Sequence, residues 1–288
     1  MSDAHHNECM LKTVKTLFIS DIHLGTRGCQ AATLLDFLKC HEADTIYLVG
    51  DIVDGWRLKS SWYWPQLHND IVQKILRQTR KGTRVVYVPG NHDEFLRDYV
   101  GSSFGGIEIV EEAIHEMVDG RRMLILHGDK FDTVVRNHKW LAVLGDWAYD
   151  FAIFLNRLIG FVRRQFGLSD WSFSAYAKNK VKQAVSFISA FEEAVVADAA
   201  RNGVCAVMCG HIHQPVIRQM GPILYLNTGD WVESCSAIVE HIDGTFELVR
   251  WKAATPQAQA PVRLTYQPAV CAVTALSRVS HAPQNDFD

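Results

Sequence analysis

Five short apolar runs in this 288-residue chain each end in a cluster of carboxylate, imidazole or amide side chains. "LFIS" leads into Asp21-Ile22-His23, "IYLV" into Gly50-Asp51-Ile52-Val53-Asp54, and "VVYVP" into Gly90-Asn91-His92-Asp93. "MLIL" leads into His127-Gly128-Asp129, and "CAVMC" into Gly210-His211-Ile212-His213. A short apolar run bounded by glycine and polar residues reads as a buried strand. In an open α/β sheet, ligands bind outside the carboxyl ends of the strands. Clusters far apart in sequence can therefore converge on one edge. In the first cluster, Asp21 and His23 stand at i and i+2, which on extended backbone points both side chains the same way. Carboxylate, imidazole and amide oxygen together suit Mn²⁺, Fe²⁺ or Zn²⁺ better than Ca²⁺ or Mg²⁺.

Helical segments lie between the runs: "CQAATLLDFLKCH", and a helix ending at Gly82 within "SWYWPQLHNDIVQKILRQTRKG". "IEIVEEAIHEMVDGRRMLILHGD" reads as strand, hairpin, strand. "PILYLNTGD", "SCSAIVEHI" and "TFELVRW" read as further strands, the last antiparallel. This order predicts an α/β fold with a partly parallel sheet. From about 136 to 201 only helical periodicity is found, with Trp140, Leu144, Trp147, Phe151, Phe154, Leu158 and Phe161 forming an apolar stripe. The domain reading is a flexible leader over 1–14 and one domain over 15–252 containing the helical insertion at about 136–201. The remainder, 253–288, is rich in Ala, Pro and Gln without periodicity and reads as a disordered tail.

The formal net charge of −3 gives no electrostatic case for nucleic acid. No basic segment precedes an apolar run at the N-terminus, and no uninterrupted apolar stretch is long enough to span a bilayer. Neither a signal peptide nor a transmembrane helix is expected. The seven cysteines are scattered, without a C-x-x-C pair, and read as reduced packing thiols. The histidines outside the clusters, His5, His6, His41, His68, His115, His138, His241 and His281, read as surface or helix positions.

In this order, D-x-H, G-D-x-x-D, G-N-H-D, H and G-H-x-H resemble the calcineurin-like metallophosphoesterase family. The resemblance implies a β-sandwich flanked by helices, here with a helical cap insertion, and a site for two divalent metal ions, Mn²⁺ foremost. It places Asp21, His23, Asp51 and His213 on one ion and Asp51, Asn91, His127 and His211 on the other, with Asp51 bridging. It leaves His92 off the metals, facing the phosphoryl group as general acid, with Asp54 orienting it. Asp93 and Asp129 read as braces for the loops.

The order "HGDKFD", helical insert, "GHIHQP" resembles one branch in particular, the UDP-2,3-diacylglucosamine hydrolases of bacterial lipid A synthesis. That resemblance implies cleavage of the pyrophosphate in a lipid-linked nucleotide, giving 2,3-diacylglucosamine 1-phosphate (lipid X) and UMP. It also implies a cap that binds acyl chains and a cytoplasmic protein in peripheral contact with the inner membrane. Lys178 and Lys182, one helical turn apart, could reach one phosphate of the substrate or form a solvated face. The insert could equally pack on itself. The best-known members of the branch carry Arg after the metal-ligand Asn, where this chain has His92. A soluble phosphoester or phosphodiester substrate is the rival reading. A non-catalytic scaffold is the third, and such a relative is expected to have lost a ligand or the histidine of G-N-H-D.

Overall fold

The computed structural model describes residues 11–132 and 173–252, with side chains from Ala184 onward in the second stretch. Most of the leader, the apolar stripe from Trp140 to Phe161, the side chains of Lys178 and Lys182 and the tail lie outside the described residues.

Two sheets pack face to face. The first comprises β1 (Lys12–Ile19), β2 (His41–Val49), β3 (Arg84–Val88), β4 (Ser103–Phe104), β5 (Ile107–Ile109), β11 (Ser236–Glu240) and β12 (Phe246–Arg250). The second comprises β6 (Ala113–Glu116), β7 (Arg122–Ile125), β8 (Ala206–Cys209), β9 (Val216–Met220) and β10 (Ile223–Asn227). Their strand orders are β12-β11-β1-β2-β3-β5-β4 and β6-β7-β8-β10-β9. Within them, β1-β2-β3-β5 and β7-β8-β10 run parallel, and the outer strands are antiparallel.

The apolar runs make central strands because both of their faces are covered. In β1, Leu17 and Ile19 face outward with Ile46, Leu48 and Val85, under α1 (Ala31–Cys40) and α3 (Gln66–Arg80). Phe18, between them, faces the second sheet with Tyr47, Val86, Met123, Met208 and Leu226. This is the two-residue alternation of extended backbone. The outer face of the second sheet is covered by α4 (Phe173–Arg201) through Phe191, Val195 and Ala199, against Leu124, Val207 and Tyr225. The result is a helix–sheet–sheet–helix sandwich. Its last helical layer lies inside the stretch read as an insertion: from about Phe187 onward α4 is part of the core.

Three further differences from the sequence reading stand out. A short α2 (Gly55–Ser60) follows the second cluster, capped by Asp54, whose Oδ1 accepts from Arg57 N at 2.8 Å. His41 and His115 are buried, not superficial. His41 packs its ring on Phe37 at the start of β2, and His115 Nε2 lies 2.8 Å from the fully buried Glu240 on β11. Cys29, Cys205, Cys209 and Cys235 are free thiols as expected, whereas Cys40 is disulfide-bonded.

Candidate active site

The parallel strands deliver their carboxyl ends to one edge of the sandwich, where the loops bind one another. Asp21 N donates to Gly50 O (3.0 Å), and His23 N to Asp51 O (2.9 Å). Gly210 N donates to His127 O (3.1 Å), and His211 N to the Asp21 carboxylate (3.1 Å), which ties the two sheets together at the site. The backbone is forced there. Among the described residues, six non-glycine residues have positive φ, and five of them are Asp21 (50°), His23 (53°), Asp51 (53°), His211 (69°) and His213 (53°). Each costs about 1–2 kcal/mol in the left-handed region, a strain that clusters at functional sites. Two glycines give the close approach. A Cβ on Gly50, itself at φ +77°, would overlap the His127 ring, and one on Gly90 would overlap the Asp51 carboxylate.

Three groups of potential ligand atoms result, each within 4.8 Å: Asp21 with His23 and His213, Asp51 with His127 and His211, and His23 with Asp54 and His92. Asn91 contributes a buried Oδ1 beside them. His23 Nε2 and Asn91 Oδ1 are buried without a hydrogen-bond partner, whereas Asp21 Oδ1 and His127 Nε2 are buried with one carboxylate–imidazole contact each, 3.1 Å to His213 Nε2 and 3.3 Å to Asp51 Oδ2. Orphaned buried polar atoms are rare because each forfeits its hydration. Two of them on expected ligands, beside carboxylate–imidazole pairs on the others, fit a cation-binding pocket. The imidazoles are pre-oriented from behind: His127 Nδ1 lies 2.9 Å from Val49 O, which turns Nε2 inward, and His23 Nδ1 lies 3.3 Å from Asp54 Oδ2.

The cluster pairs its own charges. Burial alone would push the Asp51 carboxyl up, but the His127 imidazole overrides it and holds Asp51 well below the usual carboxylate range. Conversely, burial would push His127 down, and Asp51 instead carries it up to about 10. Burial is likewise outweighed at His213, where contact with Asp21 lifts the ring to about 8. A divalent cation must displace these protons. Metal uptake by the metal-free protein is therefore expected to release protons, with apparent affinity rising with pH up to about 10 and most steeply below about 8. Titration calorimetry in buffers of different ionisation enthalpy measures the proton count; an enthalpy independent of buffer would contradict the pairing.

His92 stands at the open side of this cluster, with a quarter of its side chain exposed. Its Nδ1 lies 3.1 Å from Asp54 Oδ2, and its ring meets His23 edge-on (4.7 Å between centroids) and Trp56 (4.3 Å). Burial would lower the His92 pKa, but Asp54 and Asp51 raise it. Asp54 thus combines a helix cap with contacts to both imidazoles. Asp93, fully buried, accepts from Ile52 N (2.8 Å) and Gly90 N (2.5 Å) and from Tyr87 Oη, so it braces two of the loops. Asp129 pairs with Arg97 (2.8 and 3.0 Å), bracing the loops after β3 and β7.

Sequence reasoning missed three supporting residues. Asp132 Oδ1 lies 2.8 Å from His211 Nε2 and fixes that ring; its signal was an acid five residues after His127. Asn227 donates to Gly210 O (2.7 Å) and accepts from Gly229 N (3.0 Å), holding the G-H-x-H loop. It opens a sixth strand-end cluster, Asn227-Thr228-Gly229-Asp230, passed over because it lacks histidine. Phe191 on α4 packs against the His211 ring, 5.9 Å between centroids.

The chain is similar to several known proteins. A UDP-2,3-diacylglucosamine hydrolase of Chromohalobacter salexigens is 27% identical over 241 residues, covering 75% of this chain and 88% of that protein. The Aeromonas salmonicida protein of the same name is 26% identical over 243 residues, covering 78% and 89%. Among solved structures, the phosphoesterase Yfce of E. coli aligns with TM-score 0.42 at 14% identity, covering 82% of this chain and 92% of that one. Zinc-complexed Vps29 of Entamoeba histolytica gives TM-score 0.42 at 14% identity, covering 82% and 91%. The family model described as calcineurin-like phosphoesterase matches residues 14–215, spanning all five strand-end clusters, and the chain belongs to that family.

Proposed function

We propose that this chain is a two-metal phosphohydrolase that cleaves the pyrophosphate of UDP-2,3-diacylglucosamine, giving lipid X and UMP, at the cytoplasmic face of the inner membrane. The observation that supports the metal chemistry is the clustering of potential ligand atoms, within 4.8 Å in each group, of Asp21 with His23 and His213 and of Asp51 with His127 and His211. The relatives named above, which the chain matches over most of their length, support the substrate reading. Among the described residues no helix is long and apolar enough to cross a membrane, in keeping with peripheral contact.

In this reading Asp21, His23 and His213 hold one cation and Asn91, His127 and His211 the other, with Asp51 shared. Mn²⁺ is the first choice for the mixed oxygen and nitrogen donors. Two such ions, when bound, supply Lewis acidity toward the phosphoryl oxygens and activate an attacking water. The protein does the rest. Asp54 beside Nδ1 favours the protonated His92 ring, whose Nε2–H, 4.0 Å from Asp51 Oδ2, is proposed to serve the leaving oxygen. Lys178 and Lys182, on α4, are proposed to bind a substrate phosphate. His92 in place of the branch's Arg favours one second reading, a soluble phosphodiester or phosphomonoester substrate.

Acyl-chain dependence separates the two. If the segment around Trp140–Val162 forms an acyl groove, each methylene removed from the substrate raises KM about fourfold, the equivalent of ~0.8 kcal/mol per buried CH₂. Replacing about 136–184 with a short linker, and so sparing the core part of α4, is expected to abolish turnover of the acylated substrate. Metal content and slow hydrolysis of bis-p-nitrophenyl phosphate should survive. Equal kcat/KM for diacylated and deacylated UDP-glucosamine would move the assignment to a soluble substrate.

A further inference from the structure

Asp54, Gly55 and Trp56, consecutive at the start of α2, all converge on His92. Asp54 Oδ2 lies 3.1 Å from its Nδ1, and Gly55 N donates to its carbonyl oxygen at 2.9 Å. That approach requires glycine, since a Cβ on Gly55 would stand 3.0 Å from the same carbonyl oxygen and 2.9 Å from the Phe95 ring. Trp56 then lies against the imidazole itself, 4.3 Å between centroids at a tilt of 37°. Core packing does not explain this indole. It is 46% exposed, and the one aromatic ring it meets among the described residues is His92. Its Nε1 reaches Glu94 Oε1 (3.4 Å), at the start of the 3-10 helix that follows G-N-H-D. The indole thus rests on the loop that carries His92.

His92 needs such a support. Its backbone is fixed at both ends, N–H to Asp51 Oδ1 (2.8 Å) and carbonyl from Gly55 N. Its ring is less constrained. The closest polar partner of the ring is Asp54 Oδ2, and that oxygen also faces His23 Nδ1 at 3.3 Å. A ring pinned at one nitrogen can still turn about that point, and a planar side chain packed on it restricts the turn. Small misplacements of a reacting group cost large factors in rate, so the restriction bears on catalysis.

We propose that Trp56 is a positioning residue for the reaction, holding the His92 imidazole so that Nε2–H meets the leaving oxygen. This rests on the phosphohydrolase reading and on His92 as its acid. As water adds to phosphorus, the bond to the leaving oxygen breaks with its electron pair, and that oxygen takes the Nε2 proton. The contribution of Trp56 therefore scales with how much the leaving oxygen needs a proton. Nitrophenolate departs readily as the anion, whereas phenolate, with a pKa of about 10 like tyrosine, gains more from an acid. In the full chain loaded with Mn²⁺, Trp56→Ala is expected to lower kcat for diphenyl phosphate about tenfold, the upper end for one aromatic pair. For bis-p-nitrophenyl phosphate the fall should be far smaller, with KM unchanged for both. Trp56→Phe, a gentler change, should show the same inequality at smaller size. Metal content and Tm at parent values establish that both variants fold. Equal losses on the two substrates would make the indole a packing residue, and a loss confined to KM would make it a wall for the substrate; either overturns the proposal. His92→Ala, assayed alongside, separates this failure from that of the reading beneath it. If His92→Ala shows the inequality and the Trp56 variants do not, the acid stands and the role of Trp56 falls. If neither residue shows it, His92 is not the acid, and both assignments fall.

Discussion

Asp51→Ala is expected to lower hydrolysis by at least about 10³-fold and to strip more metal from the protein than either His23→Ala or His127→Ala. The reason is position. Asp51 lies 3.3 Å from His127 Nε2, its Oδ1 accepts from His92 N at 2.8 Å, and its carbonyl accepts from His23 N at 2.9 Å. Removing it takes a proposed shared ligand and leaves His127 buried without its counter-charge. A cation contributes several kcal/mol of transition-state stabilisation, which sets the size of the loss. Metal analysis beside steady-state kinetics provides the check. Two ions per chain and near-normal turnover in the variant would show that Asp51 is not shared.

His92→Ala should behave in the opposite way, keeping its metal while kcat falls roughly 10²–10⁴-fold, the usual range for losing a positioned acid–base group. Asp54→Asn should give a smaller fall, because Asp54 is proposed to act through His92, and an amide oxygen can still cap α2 and back His23. The variant discriminates sharply, since His92 also lies within ligand distance of His23 and Asp54. If His92→Ala lost an ion, that third group would be a metal site, and another residue would have to protonate the leaving oxygen.

Much of this fold was legible because its central strands are buried on both faces. Such strands appear in sequence as uninterrupted apolar runs, and parallel pairing carries every polar strand end to one edge. The clusters were readable for the same reason: Asp21, Asp51, Asn91, His127 and His211 follow their strands at once. What escaped was either marginal or non-local. β9 is an edge strand with Arg218 and Gln219 exposed, so no apolar run marks it, and β4 is two residues long. The short α2 is set by one capping carboxylate, not by amphipathic periodicity. His115 gave no local sign of burial because its partner, Glu240, is distant in sequence. The core half of α4 was taken with the insertion because Phe187, Phe191 and Val195 continue a helical period that the sequence does not divide. Asp132 and Asn227 act on His211 and Gly210 only through the fold.

Paired divalent cations held by these loops are proposed to drive phosphorus–oxygen cleavage. Titrating metal-free protein with Mn²⁺ while following bis-p-nitrophenyl phosphate hydrolysis tests this most directly. No turnover is expected in the chelated protein, and activity should rise to a plateau at two ions per chain. Full turnover in the chelated protein, or a plateau at one ion, would contradict it.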